Sequence, residues 1–305
     1  MSIERWTITS REEWLKRRQS FLGASDVAAA AGVDKFKSRA RLYAEKADRA
    51  PGTLENGAMR RGRLFEGAAL EYLKEEKPTW VIERPNVFVA DPETRLACTP
   101  DALVTVANTT GTINCQIKTV SRPAFERWDG VAPLGYVLQV TCENMLVDAV
   151  AGVLCVLIVS AYDAELRLFD IPRHAAAEKK IVEIAREFWE DVAAGRRPAP
   201  DFTRDADLIA EMFPQPDPAK TVDLTGDNRL AGILKDREDL KDVIDAARKA
   251  MEGIDAEVKY KLGDAEVAEL PGWRLTWRLE ERKAYTVEAS ERRVLRVKQI
   301  EEKTA

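Results

Sequence analysis

Histidine is almost absent from this chain: His174 is the only one among 305 residues. Its scarcity excludes most metal centres, nucleophile triads and nuclease motifs that depend on a placed imidazole. His174 lies in "FDIPRHAAAEKKI", where a helix begins, so a capping or surface role is expected for it. Cysteine is sparse as well. Cys98, Cys115, Cys142 and Cys155 show no CxxC or Cys/His spacing and sit among apolar or small neighbours. That argues against structural zinc and predicts buried, reduced thiols. Long hydrophobic runs are missing too. The most apolar stretch, "VDAVAGVLCVLIVSAY", falls short of a membrane span and reads as a buried strand or a strand-turn-strand. The N-terminal "MSIERWTITSREEWLKRRQS" is charged from its fourth residue and carries no apolar signal region, so no membrane association is expected.

What is present fits a globular protein with a sizeable core: 45% hydrophobic and 32% charged residues. A net charge of −5 rules out a uniformly basic nucleic-acid coat but leaves room for a local basic groove. If the chain is an enzyme, carboxylates, lysine and a hard metal must do its chemistry.

Helices come first. "SREEWLKRRQSF" predicts a helix with Ser10 as N-cap and Glu13 completing a capping box, and "GASDVAAAAG" predicts one capped by Ser25 or Asp26 and closed by Gly32. "SRARLYAEKA" and "MRRGRLFEGAALEYLKEE" follow, the latter with apolar residues at a helical period. The period then changes. "WVIERPNVFVA", "LACTPDALVTV", "GTINCQIKTV" and "VAGVLCVLIVSA" read as strands, with a helix after Pro133 between the last two. "AAAEKKIVEIAREFWEDVAAG" is an amphipathic helix ending at Gly195. This order predicts a mixed α/β core over residues 1–215 and an appendage over 216–305. In the appendage, Ile233, Leu240, Ile244, Ala247, Met251, Ile254 and Val258 keep nearly heptad spacing, which predicts one long helix. Two strand-like runs rich in Arg and Trp close the chain, facing either DNA or solvent.

Three pieces carry chemistry: Glu66 in "RGRLFE", Asp101 in "CTPDAL", and Gln116 with Lys118 in "CQIKT". Residues 116 and 118 share one face of a strand, and Asp101, 15 positions earlier, suits the facing strand of a hairpin. An acid, an acceptor and an ammonium then meet at one point of the sheet. Phosphodiester hydrolysis needs such a set: acids for Mg²⁺ and a cation for the charge that develops. A structural Asp in a turn and a snorkelling Lys read from the same residues.

"WLKRRQSFLGASD", "MRRGRLFE", "CTPDAL", "CQIKT" and "GYVLQVTCEN" occur in the order seen in phage-type alkaline exonucleases. The chain resembles that family, the YqaJ-like viral recombinases related to lambda exonuclease, from about Trp14 to Gln139. The resemblance implies a PD-(D/E)XK nuclease core, a mixed central sheet flanked by helices, here with a long C-terminal helix and a small β appendage. It implies a Mg²⁺-dependent 5′→3′ exonuclease on double-stranded DNA ends, with Mn²⁺ able to substitute. Asp101 and residue 116 would bind the metal, with the Ile117 carbonyl and Glu66 completing its surroundings. Lys118 would hold the attacking water, and Gln139 and Tyr136 would orient the scissile phosphate. Arg18 and Ser25 would hold the 5′-terminal phosphate, a role that a hydroxyl and an arginine near a helix start also suit on physical grounds. Met59 takes the place of an apolar wedge at the DNA end. A trimeric ring, a single-strand annealing partner protein and a phage or prophage origin with a cytoplasmic setting are likewise implied.

The family carries Glu where this chain has Gln116. A carboxamide brings no charge, so Mg²⁺ binding and cleavage are expected to be weakened or lost. An engineered exchange, a tolerated natural variant and a non-cleaving end-binding protein all fit that departure, and a site-specific endonuclease on the same core is a further alternative.

Overall fold

The computed structural model describes residues 2–48, 56–107, 110–281, 289 and 293–297. Strand β1 (Glu4–Thr7) leads into helix α1 (Arg11–Gln19). Ser10 caps α1 as its sequence predicts, its hydroxyl accepting from the Glu13 N–H at 3.1 Å. The expected reciprocal half of the capping box is replaced: the Glu13 carboxylate accepts instead from Thr9 and from Arg17, the latter at 2.8 Å. Strand β2 (Leu22–Gly23) and a 3₁₀ turn (Ala24–Asp26) run into the short α2 (Val27–Ala30), closed by Gly32 at φ +74°. Asp26 stands at the N-cap of α2, but its side chain makes no capping bond; it and the Ser25 hydroxyl accept from Arg18 instead. Helices α3 (Arg39–Ala47) and α4 (Gly57–Glu76) start at Ser38 and Asn56, whose side chains accept from N–H groups three residues on.

Two segments that read as single strands are each divided between two sheets. "WVIERPNVFVA" forms β3 (Trp80–Glu83) and β4 (Val87–Asp91); Pro85 has no N–H to give a ladder, and Asn86 turns the chain at φ +45°. "LACTPDALVTV" forms β5 (Leu96–Cys98) and β6 (Ala102–Val106), with Pro100 and Asp101 in the break. Then come β7 (Ile113–Ser121), α5 (Arg122–Glu126), α6 (Leu134–Val147), β8 (Ala151–Val159), β9 (Ala164–Pro172), α7 (Ala175–Ala193) and α8 (Ala206–Met212). His174 is the N-cap of α7, its Nδ1 accepting from the Ala177 N–H at 3.1 Å. The apolar run around Cys155 is the single central strand β8, and all four cysteines are buried and free.

A five-stranded sheet runs in the order β3-β6-β7-β8-β9, antiparallel except for the β7–β8 pair. Parallel neighbours need a crossover, and α5 with α6 supplies it. A four-stranded sheet runs β1-β4-β5-β2. Helix α4 covers one face of the larger sheet through Ala69, Leu70 and Leu73, packed on Cys115, Ile117, Cys155 and Leu157. Helix α6 covers the other, with Val140 against Val120, Leu154, Val156 and Ile158. A mixed sheet between helices is the α/β arrangement that the element order predicts.

Residues 1–212 and 213–305 form two compact units. In the second, α9 (Leu230–Leu262) is the long helix expected from the heptad spacing, and Leu240, Ile244, Met251 and Ile254 of its apolar stripe are exposed. Strands β10 (Val267–Leu270) and β11 (Trp273–Thr276) form an antiparallel hairpin turning at Gly272, φ +81°. Most of the second expected strand run falls outside the described residues. No helix among the described residues is long and apolar enough to cross a membrane.

Candidate functional site

Strand β7 presents two different faces because side chains alternate along it. Cys115 and Ile117 enter the apolar layer under α4. On the opposite side, Asn114 donates to Glu143 of α6 at 3.1 Å, and Lys118 Nζ stands 5.2 Å from the centroid of the Tyr136 ring, also on α6. Gln116 lies between these two. A polar seam therefore runs between sheet and helix, inside otherwise apolar packing.

Asp101 joins the seam from the break between β5 and β6. The β6–β7 register pairs Ala102 with Cys115, so Asp101 comes level with Gln116. Its Oδ2 accepts from the Ile117 N–H at 2.8 Å and from Gln116 Nε2. Burial pushes the Asp101 carboxyl up to about 6; the Lys118 ammonium and the Ile117 N–H hold it down, while the Glu66 carboxylate pushes it further up. Glu66, on α4, is ion-paired with Arg84. Gln139 donates to Glu143 Oε1 at 2.8 Å. Glu143 is 1% exposed, and burial followed by the charge of Asp101 pushes its carboxyl up to about 7. Burial raises the Tyr136 phenol as well. Gln116, Ile117, Lys118, Tyr136 and Gln139, named from sequence, thus gather along β7 and the helix above it, with Asp101 joining from the β5–β6 break.

A divalent magnesium ion does not fit this donor set. Such a cation takes oxygen ligands and needs carboxylate charge. Here Gln116 Nε2 donates both to Asp101 Oδ2 and, at 3.3 Å, to the Ile117 carbonyl, the very oxygens a cation would need. Gln116 Oε1 is buried with no hydrogen-bond partner among the described residues. Glu66 is engaged by Arg84, and no group of three His, Cys, Asp or Glu side chains suited to a metal occurs among the described residues.

A second cluster surrounds the 3₁₀ turn. Arg18 Nη2 donates to Ser25 Oγ at 3.0 Å and to Asp26 Oδ1 at 3.3 Å. Lys37 and Lys46 also stand 3.3 Å from the Asp26 carboxylate. Burial alone would raise the Asp26 carboxyl, but Arg18, Lys46 and Lys37 outweigh it and hold it far below the usual range. Arg18 and Ser25 are therefore together, as expected, on a buried anion that orients the arginine. Three cations meet Asp26 and Glu45, which leaves this pocket one positive charge in excess. Helix α6 connects the two clusters: Gly135 lies so close to α2 that an added Cβ would stand 3.5 Å from that of Ala28. Met59 sits on the first turn of α4, 48% exposed.

Sequence reasoning missed Glu143, Asn114 and Asp26. Glu143 was detectable, being the one acid in an apolar helix and four residues after Gln139. Asp26 was read only as a cap; its three cations come from positions 18, 37 and 46, a convergence no local pattern announces.

Residues 13–149 match the YqaJ-like viral recombinase domain. The chain is 25% identical over 282 residues to the uncharacterised protein YqaJ of Bacillus subtilis (strain 168), a match covering 88% of this chain and 83% of that one. Among solved structures it is similar to an alkaline exonuclease from Laribacter hongkongensis, with 22% identity and a TM-score of 0.51 over 60% of this chain and 93% of that one. The same enzyme in complex with dAMP gives 17% identity and a TM-score of 0.50 over 67% and 98% of the two chains. At these identities the shared property is the fold, the PD-(D/E)XK core of lambda-type exonucleases.

Proposed function

We propose that this chain, which carries a YqaJ-like viral recombinase domain across residues 13–149, is a phage-type alkaline exonuclease that grips double-stranded DNA ends and whose cutting is weakened by Gln116. The observation that carries this reading is the meeting of Asp101, residue 116 and Lys118 at one point of the sheet, with Tyr136 and Gln139 above. An alkaline exonuclease that binds dAMP on the same fold supports it.

The geometry supports a role for each residue. Lys118 supplies positive charge beside the reacting phosphate, and Tyr136 packs on its ammonium and limits where it can move. Asp101 is anchored by the Ile117 N–H and supplies the carboxylate of the site. Gln139, its amide nitrogen committed to Glu143, offers its carbonyl oxygen as an acceptor. Arg18 and Ser25 take the 5′-terminal phosphate, drawing on the excess positive charge of their pocket. Met59, exposed at the start of α4, is the candidate wedge at the end base pairs. Glu66 becomes available to a metal only when it leaves Arg84.

In this reading Glu at position 116 restores the acid pair for Mg²⁺, with Mn²⁺ as a substitute, and the reaction removes nucleotides 5′→3′ to leave 3′ single strands for recombination. A single-strand annealing protein receives that product, three copies close a ring around DNA, and the setting is the bacterial cytoplasm. A second reading, a non-cleaving end-binding protein, is favoured by the Gln116 amide occupying both metal-facing oxygens. The Gln116→Glu variant distinguishes the enzyme classes: shortening of linear duplex with covalently closed circles left intact is expected, and cutting of the circles would point to an endonuclease instead.

A further inference from the structure

We infer that the Gln116 carboxamide stands in for the divalent cation, so that the centre holds itself together and grips DNA ends with no metal. This rests on the end-binding function proposed above and specifies what its centre requires. The inference starts from an accounting of donors and acceptors. Three atoms matter: Asp101 Oδ2, the Ile117 carbonyl oxygen and whichever atom residue 116 turns toward them. A carboxylate at 116 would bring a third acceptor and a second negative charge into a buried space, where like charges repel strongly. Such a set takes up either a cation or a shared proton.

The amide reverses that need. Its Nε2 carries two hydrogens, and the two acceptors it reaches are the Asp101 carboxylate and, at 3.3 Å, the Ile117 carbonyl. The two partly positive hydrogens of one NH2 group thus meet the pair of oxygens that a cation would need. The Ile117 N–H, at 2.8 Å from Asp101 Oδ2, fixes the carboxylate for that contact. The consequence falls on Oε1, which is buried and lacks a donor among the described residues. An orphaned acceptor is tolerated when the opposite end of the same amide is worth more where it is. Offering Oε1 to a cation would break both Nε2 bonds and supply only a neutral ligand to an ion that prefers carboxylates. Around this core, Lys118 lies by Asp101, and Glu66 is closed on Arg84.

The test compares the chain with Gln116→Glu in EDTA, in Mg²⁺ and in Mn²⁺, at matched ionic strength. For the chain as it stands, the melting temperature is expected to change by less than about 1 °C on adding either ion, while Gln116→Glu melts about 4 °C lower in EDTA and recovers with Mg²⁺. Affinity for a 5′-phosphorylated duplex end is expected to stay within about twofold between EDTA and Mg²⁺ for the chain, and to rise tenfold or more for the variant. Direct titration of the chain with Mn²⁺, followed by electron paramagnetic resonance, needs no variant and is expected to show no site-bound ion at submillimolar concentration. A bound Mn²⁺, or stabilisation of the unaltered chain by Mg²⁺, overturns the inference. Failure of both proteins to bind duplex ends under every condition overturns the end-binding function instead, and the Mn²⁺ titration still judges the amide on its own.

Discussion

Asp26→Asn removes one charge and almost no volume from the most tightly held carboxylate in the molecule, and its effect can be worked out in advance. The Asp26 side chain is 3% exposed and has Arg18, Lys37 and Lys46 each at 3.3 Å. Lys46 is itself 6% exposed; its other partners are the carbonyls of Arg18 and Phe21, at 2.9 and 2.8 Å, which bring no charge. Neutralising Asp26 leaves that buried ammonium without its counter-ion, a loss of about 3–5 kcal/mol for a broken buried pair. For a unit of this size that corresponds to roughly 10 °C in melting temperature. Urea unfolding at neutral pH should show the midpoint falling with little change in slope. The sign of the pH dependence is also fixed. The folded carboxyl lies below its ordinary 3.8, so its contribution is present above about that pH and disappears as the pH falls through the folded value. The wild type should therefore lose stability in acid by an amount that Asp26→Asn has already lost. Lys46→Met added to Asp26→Asn should recover much of the deficit, since it removes the stranded charge. A loss below about 1 kcal/mol in Asp26→Asn, or no difference in acid sensitivity, would refute the reasoning.

Arg18→Ala should weaken binding to 5′-phosphorylated ends by roughly tenfold while leaving 5′-hydroxyl ends nearly unchanged, as a competition binding assay would register; equal losses on both would remove Arg18 from the phosphate pocket. Glu143→Gln should flatten the pH dependence of stability. The Glu143 carboxyl is raised to about 7, so its stabilising effect is complete below the ordinary 4.5 and lost as the pH rises through about 7. Between about pH 6 and pH 8 the variant should lose less stability than the unaltered chain, and equal losses in the two would contradict the assignment. Gly152→Ala should destabilise by at least about 2 kcal/mol, because a Cβ there would lie 2.3 Å from Val140 and 2.5 Å from the Asn144 amide, where β8 passes under α6. Normal stability in that variant would mean that strand and helix are packed less closely.

The parts of the fold that depend on neighbours in sequence were legible. Ser10 and His174 cap helices where the pattern places them, and the long helix α9 follows its heptads. The two divided strands were misread, although Pro85 and Pro100 stood inside the quoted runs; a proline denies a ladder its donor, and both mark the point where the chain changes sheet. At the site, the face shared by Gln116 and Lys118 followed from the strand period alone. Which end of the Gln116 amide meets Asp101 did not, because that depends on the β6–β7 register and on the Ile117 carbonyl. The Asp26 cluster was hidden for the same reason: its charges are distant in sequence and meet only after α1 and α3 have packed around the turn.

The central claim, an end-specific exonuclease weakened at one residue, is tested most directly by timing the degradation of a 5′-phosphorylated linear duplex in Mg²⁺ by the chain and by Gln116→Glu. The account predicts progressive shortening from the ends by Gln116→Glu, at least about a hundredfold faster than by the unaltered chain. An inactive Gln116→Glu variant, or equal rates for the two proteins, would contradict it.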